Sequence, residues 1–375
     1  MTVLLAIGTR KGLWLARSDD GRQTWTVQAP HLLGEEVAAV AIDTRREPVR
    51  LLVGAQTEHW GPTVRWSDDL GATWQESDHA AIAFPPDTGE ALARVWQLRP
   101  DTAARPGVVW AGGEPHSLWR SEDGGEHFAM VRGLWDHPHR PHWEAGNGGA
   151  AIHTVLPDPG SDRVVVAMST GGVYVSEDGR HDWQPRNKGI GADFLPGPDP
   201  EYGQCVHKVA IDAGGSDRMY AQNHGGVYRT DDAGGSWTSI AAGLPSDFGF
   251  VAMTSPRTPG TAWVVPIAAT IARLPVDNAL RVHRTTDAGQ SWTEQGNGLP
   301  DAAYNTVLRD AACTDAATPT GLYLGSRDGS VWASADEGES FQLVVSGLPD
   351  VLVVRAVELP EPHAPAIALA AVAGA

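Results

Sequence analysis

His153 and His207 lie 54 residues apart, each five residues before an aspartate that ends an apolar run, Asp158 and Asp212. Two imidazoles held at equal depth could hold a divalent metal, because neutral ring nitrogens are good ligands for zinc-class ions. His116, His224 and Glu114, in short polar segments between apolar runs, extend that ligand set. The competing reading has each histidine as a polar group satisfied by trapped water or a loop carbonyl. A second chemistry is open to the carboxylates. Glu58, Glu114, Asp136, Glu144 and Glu201 all fall in loop-forming stretches, and glycoside hydrolysis needs two such groups flanking the scissile bond. A third is recognition of an anion, since Arg10 and Arg355 carry forked donors suited to a carboxylate.

These residues are far apart in the chain, and an internal period shows what must gather them. An eight-residue pattern of Ser/Thr, any residue, Asp, a Gly-rich turn and an aromatic ring recurs seven times. Its copies run Ser18–Asp20–Trp25, Ser67–Asp69–Trp74, Ser121–Asp123–Phe128, Ser176–Asp178–Trp183, Thr230–Asp232–Trp237, Thr285–Asp287–Trp292 and Ser334–Asp336–Phe341. Successive starts differ by 49, 54, 55, 54, 55 and 49 residues. The aspartate is suited to accept amide bonds inside a tight hairpin, with glycine at the positive-φ position and the ring wedged between sheets.

Each copy follows an alternating strand, such as Gly172–Val175, and before that a fully apolar one, such as Val164–Ala167. A short outer strand, a loop and a further apolar strand come after it. The unit is therefore four strands (inner, second, third, outer), with the pattern in the third-to-outer hairpin. One such sheet cannot bury both faces alone, whereas seven in a ring can, so the chain reads as an all-β, seven-bladed propeller spanning 1–375 as one domain. The N-terminal segment lacks an inner strand, and Val351–Val357 is a surplus one. Pairing the two closes the ring and hides its edges. Ala366–Val372 reads as one more strand without a firm place.

The seven patterns resemble the Asp boxes, or BNR repeats, of the sialidase-like propeller superfamily, and the whole is similar to bacterial proteins labelled exo-α-sialidase-like or BNR-repeat glycosyl hydrolase. The resemblance covers nearly the whole chain. It implies the fold, while the superfamily spans sialidases, xyloglucanases, receptors and an assembly factor, so function has to come from the site. A sialidase would show three arginines on the sugar carboxylate, a Tyr/Glu nucleophile couple and an Arg-Ile-Pro segment near its start. The Arg-Ile-Pro segment is missing here, the first loop reading Thr9, Arg10, Lys11, Gly12; Arg10, Arg94 and Arg355 could point inward and Glu201–Tyr202 are adjacent, but nothing fixes them as a triad and couple, so a true sialidase is not the expectation.

In a blade of this order the aspartate hairpins share one end with the inner-to-second loops. The carboxylates of Asp20, Asp69, Asp123, Asp178, Asp232, Asp287 and Asp336 then read as structural. The other end carries the second-to-third loops and the crossovers, the longest being Leu134–Gly149 and Asn187–Gln204. It holds Arg10, Glu58, His59, Glu114, His116, Trp143, Glu144, Glu201, Tyr202, Asn223 and His224, and long loops on a rigid scaffold are where binding residues collect. Counting back five residues from each strand-ending Asp or Pro gives Ala38, Trp96, His153, His207, Val251, Asn305 and Arg355 as the ring lining the channel. His153, His207, Glu114, His116, Asn223 and His224 are expected on one cavity, with Arg10 and Arg355 on its other side.

The formal net charge is −18, from 46 acidic against 28 basic residues, which disfavours nucleic acid and anionic membrane as partners. Cys205 and Cys313 cannot form a disulfide framework and read as free thiols of a reducing compartment. With no basic stretch before Met1–Gly8 and no long apolar span, the chain is expected in the cytoplasm. The expected function is binding of a small molecule or sugar in a polar funnel opposite the Asp boxes, with glycoside hydrolysis possible. The alternatives are a non-catalytic assembly propeller with a protein partner, and a metalloenzyme using His153, His207, His116 and His224.

Overall fold

The computed structural model describes residues 2–146, 148–195, 200–269 and 272–359, so the spare segment Ala366–Val372 lies outside the described residues. Seven four-stranded antiparallel sheets stand in a ring. The second to seventh blades begin with inner strands Glu36–Asp43, Arg94–Pro100, Ile152–Pro157, Val206–Asp212, Gly249–Thr254 and Val307–Thr314. The first blade takes its inner strand from the far end: Val351–Leu359 pairs antiparallel with Thr2–Thr9, from Thr2 opposite Leu359 to Thr9 opposite Val351. Consecutive inner strands touch all the way round, with Val351–Leu359 between Val307–Thr314 and Glu36–Asp43. No helix among the described residues is long and apolar enough to cross a membrane.

Each blade is held by its hairpin and by its neighbour. In the second blade the Ser67 hydroxyl donates to Asp69 Oδ1 at 2.7 Å and accepts the Gly71 amide at 2.8 Å. Asp69 also accepts the Thr73 amide at 2.8 Å and the Thr73 hydroxyl at 2.6 Å. The hydroxyl-to-aspartate bond recurs in all seven hairpins, at 2.7–2.9 Å. Glycine takes the positive φ two residues after the aspartate at Gly71, Gly125, Gly234, Gly289 and Gly338; Arg22 takes it in the first blade. The aromatic rings reach the preceding blade. Trp237 Nε1 donates to the Arg186 carbonyl and Trp292 Nε1 to that of Ile240, both at 2.8 Å, while Trp25 meets Tyr323 edge-on at 5.9 Å. These carboxylates are occupied by their own hairpins.

One irregularity recurs at the opposite end. Every inner strand slips register against its second strand near its start: between Val37 and Ala39, Val95 and Gln97, Ile152 and Thr154, and Val206 and Lys208. The slips in the last three blades fall between Gly249 and Ala252, Val307 and Ala312, and Val351 and Val353. A β-bulge of this kind leaves a residue unpaired and re-aims its side chain. Close approach between blades surrounds it: a Cβ on Gly112 would lie 2.1 Å from the Ile152 carbonyl oxygen, so only glycine fits there.

Two outcomes follow. Asp69→Ala strips acceptors from Ser67 and Thr73 and should lower stability by about 1–2 kcal/mol, read as a lower melting temperature, with ligand affinity unchanged while the fold persists. Truncation after Pro349 removes Val351, Val353, Val354 and Leu359, all at most 3% exposed. At roughly 1.5–3 kcal/mol each that loss rivals the whole stability of a domain. Calorimetry of the truncated chain should show no cooperative transition.

Candidate functional site

A cavity of about 540 Å³ opens at the end away from the aspartate hairpins. Eight of its lining residues lie at these register slips: Ala38, Trp96, His207, Phe250, Leu308, Arg309, Asp310 and Leu352. The crossovers add Ala145, Gly146, Gly148, Phe194 and Cys205, and the second-to-third loops add Arg10, Ser169, Thr170, His224, Arg273 and Arg327. A side recess shares Phe250, Leu308, Arg273 and Arg327 with it and extends to Tyr304 and Asn305.

The charge of this cavity opposes that of the whole chain. Five arginines line it (Arg10, Arg94, Arg273, Arg309 and Arg327) against one carboxylate, Asp310. Three of the five are already paired at the rim. Arg10 bonds Glu36 at 2.8 Å and Asp350 at 3.1 Å, Arg94 bonds Glu36 at 2.9 Å, and Arg327 bonds Asp350 at 2.9 Å. Arg309 and Arg273 have no carboxylate partner among the described residues. Arg309 stands 5.7 Å from the Trp96 ring and 5.4 Å from Phe250, and Arg273 is 5.3 Å from Phe250. The buried Nε of Arg309 also lacks a hydrogen-bond partner. Burial lowers the Arg309 pKa, though a guanidinium stays protonated in proteins.

At the cavity floor Asp310 accepts from Lys208 at 2.9 Å and from Arg355 and Gln97. Burial alone would raise this carboxyl, but Lys208 and Arg355 outweigh it and hold it at about 2. Lys208 is pushed down by burial and by its neighbours Arg355 and Arg99, in spite of Asp310. Cations exceed acids there too.

One wall carries metal-ligand chemistry. Cys205, His207 and His224 each bring a donor atom to within 4.8 Å of the others. His207 Nδ1 lies 2.6 Å from the Gly249 carbonyl, so Nδ1 carries the proton and Nε2 keeps its lone pair. The His224 amide donates to the Cys205 carbonyl at 2.9 Å, fixing those two residues against each other.

The residues singled out from the sequence divide. His207, His224, Trp96 and Arg10 line the cavity, and Asn305 lines its recess. His153 has no exposed surface; its Nε2 is unpartnered and Nδ1 lies 3.3 Å from the Thr154 hydroxyl. His116 is buried with Nε2 2.7 Å from the Ser169 carbonyl, and Asn223 is spent on the carbonyls of Gly191 and Gly225. Arg355 lies on Asp310 beneath the cavity. Glu114 accepts from Trp96 Nε1 at 2.8 Å, and Trp143 is buried with Nε1 donating to Tyr174. Glu58 and His59 sit on an exposed turn, Asp136 pairs with Arg132, and Glu144 and Glu201 are exposed. Tyr202 stacks on His139 at 4.1 Å. None of these last eight lines the cavity.

Sequence reasoning missed Cys205, Phe250, Arg273, Arg309 and Asp310. Arg273 lies on a long second-to-third loop of the sixth blade, visible as the excess of residues between Ala262–Pro266 and Val282–Thr285. Asp310 was hidden because it served as the anchor of the count, whereas the aspartate ending that strand is Asp315. Five residues back from Asp315 is Asp310 itself.

Burial pushes the pKa of His153 and His207 well below 6.5 and that of His116 to about 4. Each stays neutral in the fold while its unfolded counterpart protonates below about 6.5, so stability falls as pH drops from there toward the folded values. The slope is up to about 1.4 kcal/mol per pH unit for each imidazole. Urea unfolding at pH 7 and pH 5 should show this loss, and His153→Gln should flatten it.

No family model matches the sequence, and no curated protein matches it either. Similar solved structures show the fold. A protein from Lactobacillus plantarum superposes with a TM-score of 0.60 at 14% identity, covering 96% of this chain and 100% of that one. The GH74 enzyme of Niastella koreensis gives 0.58 at 16% identity, covering 91% of this chain and 55% of the enzyme. YCF48 from Cyanidioschyzon merolae gives 0.50 at 15%, covering 83% and 86%. The chain spans 55% of the Niastella koreensis enzyme and 38% of an ancestral GH74 enzyme that it also resembles. What it shares with all of these is the propeller.

Proposed function

We propose that the chain binds a small organic anion, of the sugar-acid or sugar-phosphate class, in the cavity opposite its aspartate hairpins. The observation that carries this reading is Arg309, a half-buried guanidinium set between two aromatic rings, with a buried Nε that has no hydrogen-bond partner and no carboxylate to neutralise the charge among the described residues. A charge partly withdrawn from water without a partner is unfavourable, and an anionic ligand supplies what is missing. Arg273 faces the same ring from the sixth-blade loop. Trp96, Phe250 and Phe194 offer apolar faces to a sugar ring, Ser169 and Thr170 offer polar contacts, and about 540 Å³ suits a metabolite.

Hydrolysis is the weaker reading, although the GH74 enzymes share the fold. A glycosidase needs two carboxyl groups across one bond. Among the described lining residues only Asp310 is a carboxylate, and Lys208 and Arg355 tie it down. A protein-docking reading has Trp60 for support, 86% exposed, but it stands outside the cavity and alone. The acidic exterior and the free Cys205 fit a reducing compartment such as the cytoplasm.

Thermal shift with matched sugars tests the reading. A uronic acid or a sugar phosphate should raise the melting temperature where the neutral sugar does not, and the two anions tell carboxylate from phosphate. Arg309→Met should weaken the anion at least about 30-fold, as expected for a buried ion pair. The same variant should melt no lower than the parent without ligand, because it removes an unpaired charge partly withdrawn from water. Equal shifts by neutral and charged sugars, or full anion affinity in Arg309→Met, would overturn the proposal.

A further inference from the structure

We infer that Cys205, His207 and His224 form a binding site for one zinc-class divalent cation in the wall of the cavity. The site goes beyond the anion reading and rests on different residues.

Cys205 directly precedes the inner strand of the fifth blade and His207 is that strand's bulge residue, and both line the cavity. His224 comes from the turn closing the next hairpin of the same blade, tied to Cys205 by its amide. Their donor atoms already lie within 4.8 Å of one another. In a tetrahedral zinc site, with bonds of about 2.0–2.3 Å, the donors stand roughly 3.3–3.6 Å apart. The remaining closure falls to His224, which is exposed at the rim and makes no side-chain hydrogen bond among those of the described residues.

The surroundings are those of a ligand set. A metal-binding histidine characteristically donates its other ring N–H to a carbonyl or carboxylate, which fixes its tautomer. His207 does so to Gly249. Its ring is further fixed by stacking on Phe250 at 4.7 Å, and Phe248 meets both His207 and His224 edge-on.

Two nitrogens and one sulfur, with no oxygen, select a borderline-soft ion over magnesium or calcium. All three ligands line the cavity, so a fourth position faces its interior, the arrangement of a site that accepts water or a ligand atom. Cys205 must lose its proton on binding. Arg309 and Arg273 oppose the cation, and the thiolate offsets part of that charge.

Cobalt(II) titration of the reduced, metal-stripped full chain in chloride buffer is the test, with no organic anion present. One equivalent should produce a near-ultraviolet thiolate-to-cobalt band and the intense visible bands of a tetrahedral ion, and zinc should displace both. Cys205→Ser should abolish the near-ultraviolet band, whereas Cys313→Ser, altering a buried thiol pushed up to about 12, should leave it intact. His224→Ala, at an exposed rim position, should keep the fold by circular dichroism and weaken cobalt at least tenfold. A folded parent without the thiolate band, a band surviving Cys205→Ser, or unchanged affinity in His224→Ala would each overturn the site. Because the metal is titrated alone, failure here leaves the anion result standing, and the reverse holds too.

Discussion

Seven inner strands must meet round one axis, and the structure depends on how they do so. Each blade's faces are covered by its two neighbours, so the ring has to be complete before every blade is buried on both sides. The pairing of Val351–Leu359 with Thr2–Thr9 completes it across the whole length of the chain. At the hairpin end the strands are packed by rings and buried aspartates such as Asp212, which accepts from Tyr220 in its own blade and from the Gly260 amide in the next. At the other end the strands slip register and release residues. The bulge therefore reconciles convergence with a cavity: eight of the freed residues become its wall.

This explains how much of the molecule the sequence discloses. The hairpin is local chemistry, and a hydroxyl, an aspartate and a ring within eight residues can be read seven times without knowing any tertiary contact. Ring closure is legible for the same reason, as a missing strand at one end and a spare one at the other. The bulge is a different matter. Four inner strands lose one residue at the slip, so a fixed count from Asp43, Asp101, Asp158 or Asp212 lands on Ala38, Trp96, His153 and His207. In the sixth and seventh blades the count started from Pro256 and Asp310 where the strand-ending positions are Ser255 and Asp315, so it lands on Val251, in the core, and on Asn305, before the strand begins.

Even a correct register does not settle exposure. His153 and His207 occupy matching bulges one blade apart, yet only His207 reaches the cavity. His153 has no exposed surface and keeps a desolvated, neutral ring, while Ala145, Gly146 and Gly148 of the crossover line the wall beside His207. The crossovers have no period and no pattern, so what they place at the wall could not be read from residue types. Cys205 was passed over for a related reason. It looked like one of two ordinary thiols until a turn of the same blade placed His224 beside it.

Charge shows why the cavity and the surface should be considered together. A net charge of −18 repels anions from the outside, but at physiological salt that field decays within about 8 Å. Inside the cavity Arg309 and Arg273 act at contact range among apolar rings, where the medium screens them far less. A polyanion cannot use them, because most of its charge would remain against the acidic exterior. A small anion that buries its whole charge avoids that repulsion once it is within reach. The rim pairs sharpen the distinction: Glu36 and Asp350 offset two of the three charges of Arg10, Arg94 and Arg327 at the mouth. The wall arginines without a carboxylate partner among the described residues are Arg309 and Arg273, beside the aromatic rings, where a ligand small enough to enter can meet them.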